Sequence, residues 1–340
     1  MNKVYIEMSV TSMYQRVKKR RALAQVLIGW QTQTLKLIDL HSGLTIILQS
    51  RRRMDMSFIL EVDNLRKQYS DSAFALKGVS FSIPYGSIVG FIGENGAGKS
   101  TTMGSILGTL QKDSGTIHIF GEEMAPDKLH LKENIGVVFD DIKLPGDLNI
   151  VKLGNVFQRI YKQWNQKTFD HYVDFFSLPR NKKIRGFSRG MSMKLSAAVA
   201  LSHDAKLLIL DEATAGLDPT GRDELLDVLK GFVQDGKRGI LLSSHITSDI
   251  EKIADSLVFI KNGKILLNVK KAELREKYAI LQCRQNEFDL IQQKLILTYK
   301  KNEDTVDVLV SDREQVPSSI TKKDFTIDDM TLLLMRGETA

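Results

Sequence analysis

The stretch GENGAGKST, residues 93–101, constrains this chain more than any other feature. It fits the spacing G-x-x-x-x-G-K-[ST], and its flanks are the ones that spacing requires. SIVGFI before it is a β-branched, apolar run of strand length. KSTTMGSILGTL after it repeats apolar residues at Met103, Ile106, Leu107 and Leu110, the interval of one helix face. Gly93, Gly96 and Gly98, alternating with Glu94, Asn95 and Ala97, let the backbone turn its N–H groups inward toward an anion. The helix that follows adds its own free N–H groups and the positive end of its dipole. Lys99 can then reach β- and γ-phosphates, and the Ser100 hydroxyl can bind Mg²⁺, with Thr101 next along. A glycine-rich strand-to-helix turn without a ligand needs neither that lysine nor that serine. The loop alone means a nucleotide and no more, since small-molecule kinases, GTPases and motor ATPases share it.

Three further segments narrow the reading. AKLLILDEATAGLDPT, residues 205–220, runs through apolar residues and ends on two acids. A buried strand of a parallel sheet delivering Asp211 to its carboxyl end sets it beside the phosphate loop, where it can hold Mg²⁺ through water. Glu212 points elsewhere and is placed to polarise an attacking water. GFSRGMSMKLSAAVAL, residues 186–201, has a helical apolar stripe of Met191, Leu195, Ala198 and Val199. The Ser188 hydroxyl and the Gly190 backbone lie at its N-terminus, a second phosphate-binding position. GILLSSHITSDIEKIAD, residues 239–255, is another buried strand, and His245 falls just past its end on the ligand side.

These residues together resemble the nucleotide-binding subunit of an ABC transporter. The resemblance covers residues 58 to about 270 and rests on motifs in the family's order: the loop at 93–101, FSRGM at 187–191, LLILDE at 207–212, AGLD at 215–218 and His245. It implies a P-loop NTPase of α/β class, with a mainly parallel core sheet, an antiparallel β subdomain and a helical signature subdomain. It further implies a head-to-tail dimer in which ATP is clamped between the phosphate loop of one copy and the signature helix of the other. Ser188, Arg189, Gly190 and Met191 then act in trans, Glu212 is the general base and His245 holds the γ-phosphate. Asp218 links the two sites, and Tyr69 occupies the place where the family stacks an aromatic ring on adenine. The implied ligands are ATP and Mg²⁺, the latter on Ser100, Asp211 and Asp140.

Two departures stand out. Asp140, followed by Asp141, replaces the glutamine usual after the strand ENIGVVF; it is shorter and charged. The signature reads S-R-G-M where S-G-G-Q is usual, so Ser188 and Gly190 survive while the hydrogen bonding around Arg189 and Met191 changes. The form S-x-G-M, with YKQW ahead of it, looks like the bacterial subgroup that partners small ABC-2-type permeases in peptide-antibiotic resistance or related export.

Along the chain, residues 58–86 are expected to form an antiparallel β segment, with 87–139 completing the first nucleotide-binding part. A helical insertion is expected over about 146–198, a return to the sheet to 270, and a small α+β appendage over 271–340. In IKNGKI, Asn262-Gly263 between apolar runs marks a hairpin. LTYKKNEDTVDVLV suggests another, and TIDDMTLLLMRG a short helix capped by Thr326. Cys283, the single cysteine of the 340 residues, excludes an internal disulfide framework, fits a reducing cytosol and reads as a core or rim residue.

The formal charge of +7 would suggest a polyanion partner, but its location argues otherwise. Residues 1–57 hold ten basic and three acidic side chains, and the remainder balances 38 of each. No nucleic-acid partner is therefore expected. Residues 1–57 read as an over-called start, the protein beginning at Met54 or Met56, as a basic amphipathic arm, or as an extension with no assigned role. The sequence thus points to an ATPase that dimerises on ATP, as a homodimer or heterodimer, and powers an integral-membrane permease on a separate chain. It would work in the cytoplasm on the inner face of the membrane. The alternatives are a soluble ATPase switch acting on ribosomes or nucleic acid, whose relatives carry two such domains in one chain or a long coiled coil, and a small-molecule kinase, which needs no second phosphate clamp.

Overall fold

The structure, a computed structural model, describes residues 57–69, 74–139 and 144–338. Its centre is a six-stranded sheet. The order is β10 (Lys264–Lys270), β9 (Ser256–Lys261), β3 (Ser87–Ile92), β8 (Gly239–Ser243), β7 (Leu207–Asp211) and β6 (Ile135–Phe139). All neighbours are parallel except the β9–β10 hairpin. Every residue of β3 and β8 is buried, as their uninterrupted apolar runs require of strands covered on both faces. The hairpin turns at Asn262 (φ 49°) and Gly263 (φ 74°), two left-handed residues in succession. A Cβ on Gly263 would lie 1.8 Å from the Ala75 carbonyl oxygen, so only glycine fits.

A second, antiparallel sheet has the order β2 (Ala75–Pro84), β1 (Phe58–Gln68), β4 (Ser114–Ile119) and β5 (Glu122–Glu123). The sequence places β1 and β2 together, but β4 and β5 leave the central sheet and join them. The helix α1 (Lys99–Ile106) packs between the two sheets through Met103 and Ile106, both fully buried.

The helical part consists of α2 (Ile150–Ile160), α3 (Gln166–Phe175) and α4 (Arg189–Ala200). Asn149, Asn165 and Ser188 cap their N-termini, each side-chain oxygen accepting a backbone N–H of the first turn. Leu153, Phe169, Val173 and Leu195 close this part over the central sheet. Beyond β7 come α5 (Pro219–Val233) and α6 (Thr247–Ile253).

The C-terminal part comprises α7 (Lys271–Lys277), β11 (Ala279–Cys283), β12 (Ile296–Lys301), β13 (Val306–Val310), β14 (Lys322–Lys323) and α8 (Ile327–Arg336). Its antiparallel sheet has the order β12-β13-β11-β14. Thr326 caps α8 as the sequence predicts, in a reciprocal box with Asp329. Cys283 is buried in β11, and burial pushes its thiol up to about 11. The part is not a tethered bead. Ile327, Met330, Leu333 and Leu334 share one continuous core with Ile250, Ile253, Leu257 and Phe259 of the central layer.

Candidate nucleotide site

The parallel strands β3, β7 and β8 end side by side, and each is followed by one part of the site. Loop 93–98 leaves β3 and enters α1 at Gly98, whose φ of 115° no L side chain adopts readily. The Ala97 N–H donates to the Glu94 carbonyl (3.1 Å) and the Gly263 N–H to the Ala97 carbonyl (2.9 Å), so the loop is tied to itself and to the β9–β10 hairpin. Lys99 is buried inside it. Its Nζ donates to the Gly93 carbonyl (2.7 Å) and the Glu94 carbonyl (3.4 Å) and lies 3.8 Å from Glu212 Oε1.

Asp211 ends β7 in register with Ser243 of β8. The Ser100 hydroxyl donates to Asp211 Oδ2 (2.7 Å), and the Ser243 hydroxyl donates to Oδ1. A hydroxyl and a carboxylate oxygen thus converge at the start of α1, a donor set suited to a hard divalent cation. Among the described residues no group of three His, Cys, Asp or Glu could hold a metal by itself.

Glu212 follows with φ 55°, left-handed for a non-glycine residue. Its N–H donates to the Ser243 carbonyl (3.1 Å). Oε2 meets the His245 N–H (3.1 Å) and His245 Nδ1 (2.5 Å), while Oε1 is buried with no hydrogen bond, facing Lys99. Lys99, Ser100, Asp211, Glu212 and His245 therefore come together. His245 itself is largely exposed.

A cavity of about 230 Å³ lies over these groups, walled by the loop, Ser100, Thr101, Asp211 and Glu212 on one side and by Phe74 on another. Tyr69 packs against Phe74, ring centroids 6.2 Å apart, its hydroxyl 3.4 Å from Thr101 Oγ1. Sequence reasoning missed Phe74 and Ser243. Phe74 precedes a strand with no motif around it. Ser243 could be found only from the register of two strands some thirty residues apart.

Ser188, Arg189, Gly190 and Met191 do not line this cavity. Ser188 is exposed at the start of α4, its Oγ accepting the Met191 N–H (3.1 Å). A Cβ on Gly190 would sit 3.0 Å from the Gly216 carbonyl oxygen, so the start of α4 packs on the 215–218 loop. Asp218 at the end of that loop is exposed and makes no side-chain bond to the helix it precedes. Asp140 lies outside the described residues.

Comparison with known proteins agrees with this geometry. The sequence model of the ABC transporter family matches residues 76–215. The bacitracin transport ATP-binding protein BcrA of Bacillus licheniformis is 34% identical over 65% of this chain and 73% of its own length. The lantibiotic transport ATP-binding protein SrtF of Streptococcus pyogenes is 36% identical over 62% of this chain and 90% of its own. The solved structure of an ATP-binding subunit of an ABC transporter superposes with a TM-score of 0.59 at 28% identity, covering 64% of this chain and 92% of that one.

Proposed function

The chain belongs to the ABC transporter family as an ATP-hydrolysing, ATP-binding subunit, and we propose that it powers the export of a peptide-like antibiotic or related amphiphile through a permease on a separate chain. The observation that carries the reading is the junction of Lys99, Glu212 and His245 at the ends of three parallel strands. Among the described residues no helix is long and apolar enough to cross a membrane, so the pathway belongs to the partner, which would hold this chain at the inner membrane face.

Lys99 Nζ is held by two loop carbonyls. The β- and γ-phosphates take that ammonium, while the N–H groups of Gly96, Gly98 and Ser100 face the phosphate chain. Ser100 and Asp211 would hold Mg²⁺ together with phosphate oxygens, and the ion would neutralise charge on the triphosphate. Asp140 is proposed to reach the same ion. Glu212 takes the proton of the attacking water, and His245 orients both that carboxylate and the γ-phosphate. Adenine stacks on Tyr69.

A second copy completes the site. The cavity of one chain, at about 230 Å³, is smaller than the ~300–1,000 Å³ of pockets that enclose a whole ligand. Ser188 and Gly190 of the other copy would cover it, with Arg189 and Met191 beside them, and Asp218 would join the two sites. Domain boundaries at 58–270 for the ATP-binding part and 271–340 for the appendage complete the proposal. Glu212→Gln is expected to lower the hydrolysis rate by ~10²–10⁴-fold, the usual contribution of a general base, and to leave ATP binding intact. Phosphate release against ATP binding on the same preparation tests it. Unchanged turnover would remove Glu212 from its role.

A further inference from the structure

We propose that the C-terminal helix α8 is a positioning element of the ATP site, and that Asp328, acting through Thr247, holds the turn that carries His245. The proposal rests on the reading of His245 as the γ-phosphate contact. His245 sits in the three residues between the end of β8 at Ser243 and the start of α6 at Thr247. With seven residues, α6 is too short to be stable alone, and Ile246 at its N-terminus supplies no side-chain cap. Its place, and with it the place of His245, is therefore set by what it packs against.

It packs on β3 through Ile250 against Gly90, and two helices flank it. On one side is α5, the helix that follows Asp218. Lys252 meets Asp223 (2.8 Å), and Arg222 Nε stands 3.7 Å from the buried Asp249. On the other side is α8. The Thr247 hydroxyl, buried two residues after His245, donates to Asp328 Oδ1 across 81 residues of sequence. Beneath that bond, Ile250 and Ile253 share a core with Ile327 and Met330.

The other end of α8 reaches the phosphate loop. Arg336 Nε lies 3.9 Å from Glu94, and Lys261 Nζ donates to the Leu334 carbonyl (3.4 Å). A helix of ten residues is about 15 Å long, so one rigid element spans from the His245 turn to loop 93–98. The Arg336 pair is exposed and weak; the Thr247 bond, its donor on a buried residue and its acceptor on the exposed Asp328, carries the positioning. Asp328 also lies in the first turn of α8, where a carboxylate favours the helix for its own sake. Thr247→Val separates the two roles, because it cuts the link and leaves Asp328 on its helix.

Steady-state ATP hydrolysis by the full chain tests the proposal. Thr247→Val and Asp328→Ala are each expected to lower kcat roughly tenfold with KM for ATP unchanged, the size of loss that a displaced reacting group brings. Asp328→Asn and Thr247→Ser, which keep the acceptor and the donor, restore turnover to near wild type. The double variant Thr247→Val/Asp328→Ala is no slower than the slower single one. Wild-type kcat in both cut variants, additive losses, or equal loss in Asp328→Asn would overturn the proposal. His245→Ala distinguishes the levels: if it is inactive while the cut variants turn over normally, the positioning role alone fails. Normal turnover by His245→Ala removes His245 itself, and this proposal with it.

Discussion

Glu212 sits in a left-handed backbone conformation that costs about 1–3 kcal/mol. It persists because the N–H of Glu212 is bonded to the Ser243 carbonyl and its Oε2 accepts the His245 N–H. Its Oε1 faces Lys99 Nζ at 3.8 Å. The adenine contact is the second matter settled by single side chains. Tyr69→Ala is expected to raise KM for ATP ~10-fold with kcat little changed, the worth of one base–aromatic stack, and Tyr69→Phe to leave both alone. Phe74→Ala is expected to have the smaller effect, as Phe74 buttresses Tyr69. Steady-state kinetics decide it, and the reverse order would move the adenine platform to Phe74.

Helix α8 is held at its start by a reciprocal cap. The N–H of Thr326 (2.8 Å) and its hydroxyl (2.7 Å) hold the Asp329 carboxyl below its ordinary range, backbone bond first. A carboxyl depressed in the folded state adds stability that is present above its unfolded pKa and lost as pH falls through the folded one. Asp329→Asn should therefore destabilise at pH 7 by about 1 kcal/mol, and the gap to wild type should close as pH falls toward 3. Urea unfolding at both pH values checks the sign; a gap that widens in acid would contradict it. The same local rules made much of the fold readable. Strands β3, β7 and β8 are continuous apolar runs, Asn262-Gly263 marks its hairpin, and Thr326 marks its helix. Pairings across long separations were not readable. Strand β4 pairs with β1, about fifty residues earlier, and its alternation would suit either sheet. Helix α1 stops at Ile106, although the apolar spacing runs on to Leu110.

At the scale of the molecule, motifs spread over 150 residues become one site because β3, β8 and β7 lie in adjacent order and end together. The site is complete only on one face. The helix start at Ser188, proposed to bind phosphate in a second copy, lies outside that cavity and is exposed beside the 215–218 loop. In the proposed arrangement one chain would offer two half-sites, and two chains facing each other would offer two whole ones. The C-terminal part shares the core of the central layer, so closure would carry it along as part of the same body. The direct test is the sedimentation of the Glu212→Gln protein with Mg²⁺ and either ATP or ADP, its membrane partner supplied if it needs one. Dimers with ATP, monomers with ADP, and loss of the ATP dimer on adding Ser188→Arg are expected. A protein that binds ATP and stays monomeric under all of these conditions would contradict the shared site.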